Sequence, residues 1–262
     1  NTIIKYKLME NKNHKNRVIS FINLNWGIIL ILILWEFWVV VNDFNPIVMP
    51  SPEGVLLDLV QNPIIYLENS AVTFFIAVAG LFGGMLSGTS LAVMTWFSPL
   101  LSGLINPTAV LFSSVPVVSL IPIIARILGY NMATEIILVV IITFFPSFVF
   151  TTAGLRALPP GSKDLFTSLG ASRISTLKKL ALPASLPNLA IALRLAAAHA
   201  ILAAMIAEFL MGTNGLGYLF AVTKQEFLTE RAFGTSVIAT VISVIAFLAS
   251  SHFEILVKRR YT

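Results

Sequence analysis

The sequence predicts an all-α integral membrane protein with six transmembrane helices. Its composition is the first reason, because 57% of the 262 residues are hydrophobic and only 11% are charged, more apolar surface than a soluble domain can bury. The second reason is that the apolar residues form six long runs, each near the roughly 20 residues that cross a bilayer. The third reason is an uneven distribution of lysine and arginine between alternate loops.

The predicted spans follow one another along a single transmembrane domain, residues 21–257. They cover residues 21–41, 71–96, 100–125, 133–155, 184–211 and 233–257. A basic tail, residues 1–20, precedes the first span, residues 156–183 form the longest inner loop, and residues 258–262 form a second tail. The first span is long and lacks a small-residue cleavage site, so we expect a retained signal-anchor helix and not a signal peptide.

The basic residues predict which side of the membrane each loop occupies, because positively charged loops resist translocation. With the amino terminus in the cytoplasm, only Arg126, Lys224 and Arg231 of the 17 lysines and arginines fall on the outer side. Both termini and the loop 156–183 are therefore predicted to be cytoplasmic. This asymmetry also explains the net charge of +5, which gives no reason to expect nucleic-acid binding.

Several kinds of catalytic or metal site are not expected. The chain has no cysteine, and His14, His199 and His252 are too far apart for a metal-binding motif. No GxxxxGK[ST] loop occurs, so the chain is not expected to bind ATP by that route. HExxH and GxSxG are also missing from the sequence, which argues against an intramembrane hydrolase and leaves no predicted catalytic residue.

Two features between residues 50 and 90 predict local structure. Ser51 is expected to cap a short amphipathic helix on the outer surface, with Pro52 in its first turn. In the second span, Gly80, Gly84 and Gly88 recur every four residues and therefore predict close approach of another helix.

The third span contains prolines that remove backbone donors and favour kinks, namely Pro107, Pro116 and Pro122. Freed carbonyl groups at membrane depth must be buried in protein or line a wet cavity. Ser113 and Ser114 are therefore candidate pathway residues. Kinks that serve only helix packing explain these prolines equally well.

The fifth span contains Arg194 and Glu208, which are costly in a membrane and are further candidates for pathway or gating residues. They lie 14 residues apart, about 21 Å along a helix, and cannot pair with each other. For Arg194, structural pairing is the favoured role. For Glu208, hydrogen bonding to the turn after Gly212 and a gating role account equally well for a buried acid. Proton transfer by Glu208, Glu36 or His199 would instead indicate an ion-coupled secondary transporter, the alternative function.

The loop 156–183 is expected to form two short amphipathic helices. Ser162 can cap the first, Asp164 lies in its first turn, and Gly170 ends it. The dipeptide Leu182-Pro183 is expected to break the second helix before the fifth span. The residues alone favour docking to lipid headgroups and docking to a protein partner equally.

This loop resembles the EAA loop of binding-protein-dependent ABC transporter permeases. That pattern is EAA, three residues, G, nine residues, I, one residue, LP, and it aligns with Asp164-Leu165-Phe166, Gly170, Leu180 and Leu182-Pro183. Asp164 stands in place of glutamate, and Leu165-Phe166 replace the two alanines. Three more segments resemble the nitrate, sulfonate, taurine and bicarbonate branch: Leu34-Trp35-Glu36, Pro50-Ser51-Pro52, and Ala207-Glu208 with the glycine-rich segment 212–218.

The resemblance implies a six-span, MetI-like permease of a type I ABC importer in a bacterial inner membrane. It implies ATPase-coupling roles for Asp164, Leu165, Phe166, Leu169, Gly170, Leu182 and Pro183, with Phe166 as an anchor in the partner. The implied partners are a separate ATP-binding subunit that holds ATP and Mg, a second permease subunit, and a periplasmic or lipid-anchored substrate-binding protein. The chain itself would bind no cofactor and catalyse no reaction. The substrate stays open between an anion, such as nitrate, sulfonate or bicarbonate, and a vitamin precursor.

Overall fold

The computed structural model describes residues 26–113, 115–212 and 214–261, and these residues are almost entirely helical. The predicted tail 1–20, the first five residues of the first span and Ser114 lie outside the described residues. The helices are α1 (Trp26–Val41), α2 (Pro52–Gln61), α3 (Pro63–Phe97), α4 (Pro99–Ser113), α5 (Val117–Leu128), α6 (Met132–Arg156), α7 (Ser162–Ser168), α8 (Arg173–Thr176), α9 (Leu182–Met211), α10 (Leu216–Gln225) and α11 (Thr229–Tyr261). A π-helical turn, Leu177–Ala181, joins α8 to α9.

The all-helical membrane fold is confirmed. In the described part of the chain, four stretches are long and apolar enough to cross a membrane: α3, α6, Arg173–Met211 and α11. The predicted spans 71–96, 133–155, 184–211 and 233–257 lie within them. The other two predicted spans correspond to α1 and to the pair α4 and α5, of which α1 and α5 are shorter apolar helices.

The third predicted span differs from expectation, because residues 100–125 do not form one helix. Helix α4 ends at Ser113, and α5 begins at Val117 after Pro116, whose backbone is extended (φ −68°, ψ 99°). A proline ring clashes with the preceding helical turn, which favours an interruption at this position. Pro107 and Pro122 lie inside helices instead, so only one of the three prolines coincides with the break.

The glycines of α3 pack against α6, as their spacing predicts. A side chain on Gly84 would meet Thr143, and a β-carbon on Gly88 would lie 2.6 Å from the carbonyl oxygen of Phe144. At this close contact the Thr143 hydroxyl donates to the Gly80 carbonyl (3.2 Å). The pair α3 and α6 therefore forms a tight unit stabilised by backbone proximity.

Helix α9 packs against α3, α6, α10 and α11 and lies at the centre of the fold. Its small side chains permit this, and the buried alanines are Ala190, Ala192, Ala196, Ala197, Ala200, Ala203, Ala204 and Ala207. Because these side chains are so short, neighbouring helix backbones can approach α9 on several sides.

Helix α2 starts as predicted and is fastened to the ends of two long helices. The Ser51 hydroxyl accepts a hydrogen bond from the Gly54 amide (3.0 Å). Asp58 then pairs with Arg231 of α11 (2.9 Å) and accepts a hydrogen bond from the Tyr66 hydroxyl of α3. Burial by itself raises the pKa of Asp58, but the hydrogen bonds from Arg231, Tyr66 and Asn62 outweigh it and hold the pKa below its ordinary value.

Asp58→Asn is expected to lower stability at neutral pH by about 1–2 kcal/mol, because hydrogen bonds to a charged group are worth more than neutral ones. A depressed folded-state pKa means that the contribution is complete above the unfolded value, about 4, and disappears as the pH falls through the folded value. The difference in unfolding midpoint between wild type and variant should therefore be constant from about pH 8 to 5 and shrink below about 4. Glu53→Gln, on the exposed side of the same helix, is the control and should show a smaller difference. A pH-independent difference for Asp58→Asn would contradict the ion-pair explanation.

Candidate functional site

The loop after α6 forms the predicted first short helix, α7, but its cap differs from the expected one. The cap is Gly161, in the left-handed region (φ 73°), and Ser162 is the first helical residue. Glycine adopts this conformation without steric cost, so the chain turns sharply there. The Ser162 hydroxyl instead donates to the carbonyl of Pro159 (2.6 Å), and the prediction of Ser162 as the cap was wrong.

The other end of α7 agrees with the prediction that Gly170 terminates it. Gly170 has φ 67°, and the Ala171 amide donates back to the carbonyl of Phe166 (2.9 Å). This bond closes the helix in the manner of a Schellman motif. Asp164 lies in the first turn, where the helix dipole favours a negative charge.

Helix α7 has two distinct sides. Leu165 and Leu169 lie four residues apart, and their side chains are 56% and 73% exposed. Lys163 and Thr167 form the corresponding pair on another side and line a cavity beneath the helix. Phe166 is only partly exposed, so the two leucines present more apolar surface than the residue that the resemblance implies as the anchor.

The second short helix continues into the fifth span, contrary to the predicted break at Leu182-Pro183. Helix α8, the π-helical turn and α9 form one continuous stretch, Arg173–Met211. Pro183 lies in the first turn of α9, and the π turn before it uses a longer hydrogen-bond register than an α-helix does. We attribute the continuity to this change of register, because the wider turn leaves room for the proline ring beside the preceding carbonyl groups.

Two arginines connect the loop to neighbouring helix ends. Arg156 donates to the Ser102 hydroxyl of α4 (2.5 Å), and Arg173 donates to the carbonyl of Phe97 at the end of α3 (3.3 Å). The loop is therefore connected to α3, α4 and α6 as well as to α9.

Glu208 is fully buried near the other end of α9, at the start of α10. Three successive amides at that helix start donate to side chains of α3 and α9. They are Gly215 to Asn69 Oδ1 (3.1 Å), Leu216 to Thr73 Oγ1 (2.8 Å) and Gly217 to Glu208 Oε2 (2.9 Å). The same Glu208 oxygen accepts from the Thr73 hydroxyl (2.9 Å).

This arrangement favours the structural explanation of Glu208. The first amides of a helix have no partner within the helix, and the partial positive charge there stabilises a carboxylate. Gly215 has φ 101°, and a side chain on it would strike the Glu208 carboxylate, so the turn closes tightly around the acid. Sequence reasoning anticipated the bond to the glycine-rich turn but missed Asn69 and Thr73, since their distance along the chain hides the contact.

Arg194 lies elsewhere and pairs with a different helix. Its Nε lies 3.1 Å from Oε2 of Glu254 in α11, and the other Glu254 oxygen lies 2.6 Å from Lys258 Nζ. The guanidinium also lies 5.5 Å from the ring centre of Phe247. Sequence reasoning missed Glu254, although its four-residue spacing from Lys258 is a recognisable helical pair. Arg194 and Glu208 thus do not share one site, while Ser114 and the side chain of Ser113 lie outside what the structure describes.

Curated relatives of this chain are transport permeases. A probable ABC transporter permease protein of Haemophilus influenzae is 29% identical over 82% of this chain and 88% of its own. The formylaminopyrimidine transport permease ThiX of Halalkalibacterium halodurans is 24% identical over 86% and 90%. The taurine transport permease TauC of Escherichia coli is 26% identical over 84% and 80%. These names agree with the branch that the sequence resembles.

The fold has a solved counterpart in the MetNI methionine ABC transporter in an inward-facing conformation. The two chains superpose with a TM-score of 0.64, at 16% identity, over 75% of this chain and 98% of the other. Residues 68–261 match the family described as "Binding-protein-dependent transport system inner membrane component". Ion-coupled secondary transport is not favoured by these likenesses. The chain therefore belongs to the inner-membrane component family of binding-protein-dependent transport systems, and it is a permease subunit of an ABC importer.

Proposed function

We propose that a separate ATP-binding subunit, which holds ATP and Mg, drives this permease by docking on α7. The observation that carries the proposal is the exposure of Leu165 on the seven-residue helix α7 and of Leu169 at its carboxyl-terminal cap. Two large apolar side chains on such a short polar helix fit a pocket in a protein partner, where a few anchors supply most of the binding energy.

The connection from α8 to α9 supports a mechanical role for the loop. Because Arg173–Met211 is one continuous helical stretch, a displacement at the loop moves the inner end of the central helix. The hydrogen bonds of Arg156 and Arg173 extend the same connection to α3 and α4. Nucleotide-driven movement of the partner would thereby rock the bundle between inward and outward openings.

The proposed architecture has six spans, with α1 as the first and the interrupted pair α4 and α5 as the third. Both termini lie in the cytoplasm, which the three basic residues in the last turn of α11 support. A second permease subunit completes the pathway, and a periplasmic or lipid-anchored binding protein delivers the solute. The relatives named for formylaminopyrimidine and taurine suggest that this solute is small and polar.

Asp164→Ala combined with Phe166→Ala is expected to weaken association with the ATP-binding subunit while membrane insertion is unchanged. Leu165→Ala combined with Leu169→Ala should weaken it at least as much, by roughly 30-fold or more, because these side chains are more exposed. Co-purification of the ATP-binding subunit with the tagged permease measures the effect.

Lys178→Ala combined with Lys179→Ala is the matched control, since both lysines are exposed on the same loop beyond α7. It should leave the co-purification yield unchanged. An unchanged yield with both α7 variants would overturn the docking proposal and would favour attachment of the loop to lipid.

A further inference from the structure

A cavity of about 570 Å³ lies on the side of α7 away from its exposed leucines, between the loop and the bundle. Its walls come from the end of α3, the end of α6, α7 and α8. One part of the lining is apolar and aromatic, formed by Trp96, Phe97, Pro99, Leu155 and Leu158. The other part carries Arg156, Lys163 and Arg173, and none of the described lining residues is acidic.

The three cations of this cavity keep most of their hydrogen-bonding capacity. A guanidinium has five N–H donors, yet Arg156 and Arg173 each donate to one neutral oxygen, Ser102 Oγ and the Phe97 carbonyl. The ion pairs of the described chain involve Arg194, Arg231 and Lys258, and none of the three cavity cations. The site therefore presents concentrated positive charge and free donors, which suit an anion such as a phosphate group.

The rest of the lining decides between a soluble anion and a lipid. Trp96, a residue type enriched at membrane interfaces, lies at the end of α3 and lines the same cavity as the basic side chains. An apolar wall beside a basic rim matches a molecule with a hydrocarbon part and a phosphate. Basic pockets between helices on the cytoplasmic side of a membrane are known to hold such headgroups.

We propose that this cavity binds the phosphate headgroup of an anionic phospholipid from the cytoplasmic leaflet. Its cytoplasmic location rests on the proposed orientation. A bound headgroup would contact Lys163 and Thr167 on the cavity side of α7. Leu165 and Leu169 would face the partner subunit on another side. Lipid and ATP-binding subunit would then hold the same short helix from different sides, and coupling efficiency would depend on the anionic lipid content.

The test uses the complete transporter in nanodiscs of phosphatidylcholine with increasing phosphatidylglycerol. Native mass spectrometry counts the retained phosphatidylglycerol, and ATP hydrolysis is measured in parallel. Arg156→Gln with Lys163→Gln is expected to raise the half-saturating phosphatidylglycerol fraction by about tenfold. Lys163→Gln alone should give a smaller shift in the same direction. Because the Lys163 side chain makes no hydrogen bond in the described structure, this variant is the control for a folding defect in the double variant.

Lys178→Gln with Lys179→Gln removes the same charge from the same loop outside the cavity and should shift the curve much less. An equal shift would overturn the proposal, because it would show only general attraction to the membrane surface. If inorganic phosphate abolished both the retention of phosphatidylglycerol and its effect on ATP hydrolysis, the proposal would also be overturned, in favour of a soluble anion. Co-purification of the ATP-binding subunit is recorded for every variant, so a failure of docking on α7 is distinguished from a failure of lipid binding.

Discussion

Gly84→Ala and Gly88→Ala are each expected to lower the stability of the subunit by about 1–3 kcal/mol, and together to prevent stable folding. A β-carbon at Gly88 would lie 2.6 Å from the Phe144 carbonyl oxygen and 2.9 Å from the Phe148 amide nitrogen. Both neighbours are backbone atoms of α6, so the helices must separate to admit the methyl group. Alanine gains about 1 kcal/mol of helix propensity over glycine, and the forced separation outweighs that gain.

Gly103→Ala is the matched control, because Gly103 also lies inside a helix but has no neighbouring atom within 4 Å of the position that a β-carbon would occupy. It should be neutral or stabilise by up to about 1 kcal/mol, since only the propensity term remains. The thermal unfolding midpoint in detergent and the monodisperse fraction on size exclusion measure all three variants. Equal midpoints for Gly88→Ala and Gly103→Ala would show that α3 and α6 are not in close contact.

Glu208→Leu is expected to destabilise the carboxyl-terminal end of α9 and abolish transport, whereas Glu208→Gln is expected to retain stability and transport. In the wild type one carboxylate oxygen accepts from Thr73 and Gly217. Leucine would leave the buried Gly217 amide without a partner, at a cost of about 1–3 kcal/mol. Glutamine keeps one side-chain acceptor oxygen that can receive both of these hydrogen bonds, so only a small loss of stability is expected.

Thr73→Val supplies an independent check, because it removes the acceptor of the Leu216 amide and one donor to Glu208 while the Glu208 side chain stays in place. It should resemble Glu208→Leu in thermal stability. ATP-driven uptake in proteoliposomes is the second measurement. A Glu208→Gln subunit that folds normally but no longer transports would show that the ionisable carboxyl group is needed, and would restore the gating interpretation of Glu208.

The features that could be read from the sequence depend on local pattern. The short helix 162–168 has its acidic first turn and its glycine stop within a few residues of one another, so the chain encodes both ends locally. The glycine spacing in α3 likewise indicates one face of a helix. Gly161 was missed as the cap of α7 because a glycine and a serine at the start of a helix are both good caps.

Other features depend on residues that are distant along the chain. The acceptors for the α10 amides come from Asn69 and Thr73, more than 140 positions away, and no local pattern links them to Gly215 and Leu216. Arg194 could be identified as a costly residue, but its counter-charge, Glu254, lies on another helix. Such pairs form only when packing brings two helices side by side.

The sequence by itself determined the membrane class, the helical character and the short helix that ends at Gly170, because apolar length, charge asymmetry and spacing act over short stretches. It also indicated that Glu208 and Arg194 needed partners. The tertiary structure alone decided which partners they have, that the helix breaks between α4 and α5, and that the loop runs without a break into α9. Those outcomes depend on helix contacts and hydrogen-bond register, which exist only once the helices are packed together.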